Sequence, residues 1–439
     1  MYLKPTALGL ALALGLAAAP AAAVAGDPGQ GWAAPLPVSR VGADVWDLDL
    51  TMHDGRGLAV WVRWKDDGTR VMAARQRATG GWRAPTAVSG TRGAAEVEVA
   101  YDAQGQARLV WTAGRRVKAA WLRPGGSTSA PVVLHRTPAG ALGTRPAYLQ
   151  LSMNRVGAAA VAWQTMDDDE APPYAAPRVQ AVNATATGGW SAEHTLSAAD
   201  TEGIRPEVFV SRTGRVTAVW GERAGDRWKV MTASRRDRRA WGTASPLTRP
   251  SVKAGIPHLA GLASGRLAVA YAVRSPEARG LRLRSWSPSS GWSAPMAVRG
   301  ALLRSWVDVG LSRQGATVAF TDARDAVWAA SVSSSSVVTR SRVAPVVSVY
   351  YGLQLVVNRA GDALVAWDSV RGGDHPIEAA YRSASGSWGP VSRVSAARGD
   401  AFLGALALTP GGDGLAVWNG GDIADPDSSL VWSRWYSAQ

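Results

Sequence analysis

The segment Ser211-Arg212-Thr213-Gly214-Arg215-Val216-Thr217-Ala218-Val219-Trp220 decides the fold. It reads as a turn residue, two variable residues, a glycine, five mostly apolar residues and a large aromatic, and that reading returns along the chain. Asp102 to Trp111, Asn154 to Trp163 and Asn358 to Trp367 are the clearest other copies. Met52 to Trp61, Leu262 to Tyr271 and Thr409 to Trp418 keep the spacing, and Ser312 through Gly315 to Phe320 is one residue short. The glycines are Gly55, Gly105, Gly157, Gly214, Gly265, Gly315, Gly361 and Gly412, a period of about 50 residues repeated eight times.

The spacing is that of a hairpin. Asp, Asn, Ser or Thr bonds the backbone ahead of it, and a glycine three residues later takes the left-handed conformation that closes the turn. The strand after each glycine, such as Arg215 to Trp220, is apolar enough to be covered on both faces. A third strand follows (Val71 to Arg75, Val117 to Trp121, Val327 to Ser331, Ile377 to Tyr381), and a fourth opens with Trp and often Pro (Trp82, Trp190, Trp241, Trp292, Trp388). Four-stranded units of this length, repeated eight times, predict an all-β, eight-bladed β-propeller. The last repeat, over 400–437, runs out before its fourth strand. Trp32-Ala33-Ala34-Pro35-Leu36-Pro37-Val38-Ser39 matches Trp82 to Ser89 in type and spacing, so residues 31–39 are expected to complete the last blade.

Composition narrows the function. The 439 residues carry 48 Lys+Arg against 34 Asp+Glu, a net charge of +14, and no cysteine. Disulfide scaffolds, Cys-ligated metals and thiol nucleophiles are excluded. Lys4, the apolar run Ala7 to Ala19 and Ala23-Val24-Ala25 predict a signal peptide over 1–25, with a single propeller domain over 26–439. The expected product is secreted, extracellular or wall-associated, without a later membrane span, and monomeric. The arginines are scattered; even Arg235-Arg236-Asp237-Arg238-Arg239 falls between two predicted strands, so no nucleic-acid partner is expected.

The combination of a Gly-x-Ala-x-x-x-Trp strand with a Gly-Trp-Ser-x-Pro strand, as in Gly291-Trp292-Ser293-Ala294-Pro295, resembles secreted bacterial propellers of the actinobacterial type. The sheet layout is distantly similar to sialidase/BNR-like propellers. Here the turns Ala78 to Trp82 and Ser287 to Trp292 lack the aspartate of an Asp-box. The first resemblance implies architecture; the second implies glycan-directed chemistry.

Superposing the first strands on their glycines gives one register: Leu48, Glu98, Gln150, Glu207, His258, Asp308, Gln354 and Ala405. Six of these are polar within apolar strands, which predicts a polar collar at the channel. It serves either a ligand, water or cation, or a set of hydrogen bonds between blades. Two residues earlier lie Trp46, Tyr148, Arg205 and Trp306, with Arg304, Tyr350 and Tyr351 nearby. Together with His258 these form the candidate ligand-binding set, since aromatic faces beside arginine suit sugar rings and anionic glycans. The expected partner is an extracellular glycan, wall polymer or protein. The competing reading is a glycoside hydrolase or lyase, for which Glu98, Glu207 and Asp308 are the candidate carboxylates. No cofactor is expected. Asp167, Asp168 and Asp169, or Asp422, Asp425 and Asp427, supply calcium-type oxygens without an EF-hand spacing.

Overall fold

The computed structural model describes residues 31–39, 44–65, 68–88, 90–138, 144–167, 176–187, 189–236, 239–249, 253–274, 279–298, 306–333, 338–346, 348–370, 374–395, 400–421 and 430–438. The expected signal peptide lies outside them. The described chain forms eight antiparallel sheets of four or five strands, each sheet a blade. The inner strands of blades 1 to 8 are Asp44–His53, Ala94–Tyr101, Thr144–Met153, Glu202–Val210, Lys253–Gly261, Val307–Leu311, Val349–Val357 and Asp400–Leu408. Outer strands are short, often two residues such as Thr86–Ala87 and Ser245–Pro246. The fourth-strand tryptophans Trp82, Trp190, Trp241 and Trp388 join their blades through isolated bridges only.

The repeat aromatic has one task in all eight blades. Trp61, Trp111, Trp163, Trp220, Tyr271, Phe320, Trp367 and Trp418 are each at most 2% exposed, and each belongs to a different apolar cluster between two blades. Trp111 of blade 2, for example, packs with Leu58, Val60 and Val62 of blade 1. The second strands carry these wedges and are buried on both faces, as their unbroken apolar runs require. The core is therefore eight slabs around a channel.

The ring closes as expected. Gly31–Trp32 and Leu36–Pro37 pair with Leu430–Ser437, the third strand of blade 8. The Val38 N–H donates to the Val431 carbonyl at 2.7 Å, Val38 is buried, and Trp32 meets the Tyr436 ring edge-on at 5.5 Å. Trp61 of blade 1 shares a cluster with Leu415 and Val417 of blade 8, so the first and last repeats meet as neighbours.

One turn departs from the repeat and shifts a register. Tyr101 pairs with Ala107 across a five-residue loop, whereas His53 pairs with Arg56 across only Asp54-Gly55. Both residues of that short turn have positive φ, 47° and 70°, the signature of a two-residue type I′ hairpin. Asp49, rather than Leu48, therefore stands opposite the residue before the repeat aromatic, at the level of Glu98, Gln150, Glu207, His258, Asp308, Gln354 and Ala405. The collar position expected at Leu48 belongs to Asp49, and seven of its eight members are polar.

Removing residues 31–39 takes one paired edge and the Val38 anchor from blade 8. The thermal midpoint should fall by about 5 °C or more in a calorimetric scan; an unchanged midpoint would show that the amino-terminal strand does not hold the ring.

Candidate functional site

An inner strand pairs with its own blade along one edge and turns the other toward the channel, where backbone N–H groups need acceptors. Side chains of the preceding blade supply them. Asp47 accepts from the Val97 N–H at 2.6 Å, and Asp49 from Val99 at 2.8 Å. Glu96 accepts from Tyr148 and Leu149 at 3.2 and 2.9 Å, and Ser152 from Val210 at 3.0 Å. Glu207 accepts from Leu259 at 2.5 Å, Asp308 from Leu355 at 2.7 Å, and Asp368 from Leu403 at 2.9 Å. Between blades 8 and 1 the polarity reverses, and Asn419 donates to the Val45 carbonyl at 2.9 Å. Among the described residues, seven of the eight interfaces carry such a stitch.

The collar is thus part of the ring's own bonding, the second of the two readings its sequence register allowed. Burial pushes the Glu207 carboxyl up to about 8; the Leu259 N–H opposes this and nearby Asp308 adds to it. Burial likewise lifts Asp49, Asp308 and Asp368 to about 7 against the backbone bonds they accept. His258 goes the other way, held down to about 4 by burial and by the Arg205 charge, with Nδ1 3.4 Å from Glu207 Oε1. Near neutral pH Glu207 is largely protonated and Asp49 and Asp308 are only partly ionised.

Above the collar the inner strands bulge. Asp47, Tyr148 and Arg205 lie at these bulges with φ of 33°, 53° and 46°, a left-handed backbone that costs a non-glycine residue about 1 kcal/mol or more. The Arg205 N–H is held by Gln164 Oε1 at 2.9 Å, as Glu96 holds that of Tyr148. The two side chains meet across blades 3 and 4. The Arg205 guanidinium sits 4.4 Å from the Tyr148 ring centre, and Nη2 donates to the Tyr148 hydroxyl at 3.3 Å. Tyr148, Arg205, Glu207 and His258 form one connected group, with Asp308 felt electrostatically by Glu207. Its chemistry is a cation with an aromatic face above a neutral imidazole and a largely protonated carboxyl. That equipment can grip an anion and exchange a proton.

The other expected residues divide. Trp46 is 47% exposed at the same end of blade 1. Its diagonal neighbour Trp64, opposite Asp44 where Trp46 is opposite Val62, is 51% exposed, so blade 1 shows two open indoles that the glycine register did not join. Trp306 does not join them. Its indole donates to the Val349 carbonyl at 3.3 Å, and its ring packs into the cluster between blades 6 and 7. Glu98 is half-buried in the collar. Arg304, Asp168, Asp169, Asp422, Asp425 and Asp427, and the side chains of Asp167, Tyr350 and Tyr351, lie outside the described residues. Among the described residues no group of three or more His, Asp or Glu is arranged to hold a metal ion.

No protein-family model and no curated protein matches the sequence. Solved structures do match the fold. A polysaccharide lyase is similar over 93% of this chain and 100% of its own, at 8% identity and a TM-score of 0.52. A puromycin hydrolase mutant is similar over 91% of this chain and 62% of its own, at 17% identity and a TM-score of 0.50. A leech intramolecular trans-sialidase covers 93% of each chain at 8% identity and a TM-score of 0.44. At such identities the likeness is one of β-propeller architecture.

The collar sets a pH dependence. Glu207, Asp49, Asp308 and Asp368 have folded values above their usual 4.5 and 3.8, so the stability they contribute is complete below those usual values and is lost as pH rises through 7 to 8. His258, lowered from 6.5 to about 4, adds stability as pH rises and has nothing further to add above 6.5. The thermal midpoint should therefore fall between pH 6.5 and about 8.5, with an upper limit of about 1.4 kcal/mol per group per pH unit. Glu207→Gln should make the slope shallower; a flat wild-type profile would contradict the assignment.

Proposed function

We propose that the protein is an exported binding module that holds a carboxylate-bearing glycan or wall polymer at the channel mouth. The observation that carries this reading is the Arg205–Tyr148 pair, cation over aromatic ring, with both residues fixed on left-handed backbone. Strain of that kind persists where surrounding structure over-determines it, and it concentrates at ligand sites. A guanidinium binds a uronate carboxylate bidentately, and an aromatic ring packs against a sugar face. Trp46 and Trp64 add an open indole surface at the same end of the ring, and the net charge of +14 favours an anionic polymer. The expected export rests on the Lys4, Ala7 to Ala19 and Ala23-Val24-Ala25 pattern.

Calorimetric titration with polygalacturonate and with a neutral glucan tests the proposal. Binding should be selective for the uronate and weaken with salt. Arg205→Gln should lower affinity at least tenfold and Trp46→Ala less, with unchanged far-ultraviolet circular dichroism. Equal binding of neutral and acidic polymers, or an unaffected Arg205→Gln variant, would refute it.

A second reading has an observation of its own. His258, kept neutral beside Glu207 and below Arg205, is equipped to take a proton from a carbon made acidic by a carboxylate paired to that arginine. This is elimination: the C–H bond to the proton taken by His258 and the C–O bond to the leaving sugar would break, the leaving oxygen taking a proton from the Glu207 carboxyl, and the C=C formed would appear as new unsaturated chain ends in the same titrations. Turnover lost in Glu207→Gln or Asp308→Asn favours the enzyme; binding without turnover favours the module.

A further inference from the structure

The repeat provides an internal comparison at the opposite end of the blades. Three residues before each repeat aromatic stand Leu58, Arg108, Ala160, Thr217, Ala268, Thr317, Leu364 and Leu415. All are buried, and one of them is charged. Arg108 is 1% exposed.

Elsewhere three guanidinium groups find side-chain acceptors at one register, while Arg75, Arg284 and Arg434 bond backbone carbonyls. Arg235 bonds Asn183, the cross-strand partner of Ala160. Arg215 donates to Ser234, the partner of Thr217, at 2.9 Å. Arg382 donates to Ser331, the partner of Thr317, at 2.5 Å, and to Thr317 itself at 2.9 Å. In blade 2 the same register, opposite Arg108, holds Trp121. The Arg108 guanidinium lies 4.1 Å from the Trp121 ring centre and 4.7 Å from that of Trp190 in blade 3. Nη2 reaches the Gly157 carbonyl only at 3.5 Å, and among the described residues neither Nε nor Nη1 has a partner. Burial draws its pKa down to about 10, against the nearby Asp102 carboxylate.

A cavity of about 50 Å³ adjoins this group, walled by Arg108, Ala119, Ala120, Trp121, Ser129, Val132 and Trp190. By the volume one water requires, it has room for about four non-hydrogen atoms. Val132, at its rim, is 50% exposed, and the next residue, Val133, is 42% exposed. Apart from Arg108 and Ser129 the lining residues are aliphatic or aromatic. A carboxylate on a short apolar stem matches them in size, charge and polarity: its oxygens replace the acceptor that Asn183, Ser234 and Ser331 supply elsewhere, and its stem leaves past Val132.

We infer that the cleft between blades 2 and 3 is a binding site for a short-chain carboxylate, gripped by Arg108 between Trp121 and Trp190. The site lies away from the channel mouth and is independent of the glycan reading.

The test is a titration of the full chain, ¹⁵N-labelled, with propionate at neutral pH in carboxylate-free buffer, with propionamide as the neutral isostere. The indole N–H resonances of Trp121 and Trp190 should shift saturably with propionate and not with propionamide. Arg108→Leu, which installs the residue that blades 1, 7 and 8 carry at this position, should weaken propionate at least tenfold. Should that variant fail to fold, Trp121→Ser restores the acceptor found in blades 4 and 6, and it too should weaken propionate. Absence of a propionate response at tens of millimolar, an equal response to propionamide, or wild-type affinity in a folded variant would overturn the inference.

Discussion

The structure depends on the unpaired edge of eight inner strands. A blade satisfies its own backbone except along that edge, and an unpaired buried N–H costs about as much as a lost hydrogen bond. The chain answers with acceptors from the preceding blade, as when Asp49 receives Val99, Glu207 receives Leu259 and Asp308 receives Leu355. These bonds fix the height and rotation of each blade relative to the last. The repeat aromatics fill the slab between them. Polar stitch at the axis and apolar wedge behind it form one device, used around the ring.

This division of labour gives the carboxyls a structural bond beneath the mouth. Glu207 and Asp308, candidate carboxylates from residue type and register, each give an oxygen to the next blade, and burial holds each well above the usual carboxylate range. Arg205 and Tyr148 stand one step outward, on bulges that the stitches hold open. The rigid collar is the platform and the mouth is the surface that meets a ligand. The exposed Trp46 and Trp64 belong to that surface, whereas Trp306 belongs to the slab.

The architecture was legible because a hairpin turn and a buried aromatic leave a fixed spacing, and because Trp32 to Ser39 repeats the outer-strand pattern of Trp82 to Ser89. The collar was legible to within one residue. Gly55 closes a two-residue turn and Gly105 a longer loop, so glycine counting placed Leu48 where Asp49 stands. The bulges at Tyr148 and Arg205 leave no sequence mark, since any residue type can occupy a bulge at a cost. The paired exposure of Trp46 and Trp64 depends on strand register across a hairpin. Arg108 is a charge in an apolar strand, but its meaning requires knowing that Trp121 stands where blades 3 to 6 place Asn or Ser. Departures from the repeat carry the functional information, and their partners lie on other strands.

The most direct test of this account is site-resolved titration of the collar carboxyls by ¹³C resonance, with Glu207→Gln and Asp308→Asn used for assignment. The account predicts that Glu207 titrates near 8 and Asp308 near 7 in the folded protein. Midpoints at the ordinary carboxylate values would contradict it, because burial at the axis would then not outweigh the backbone bonds these carboxyls accept.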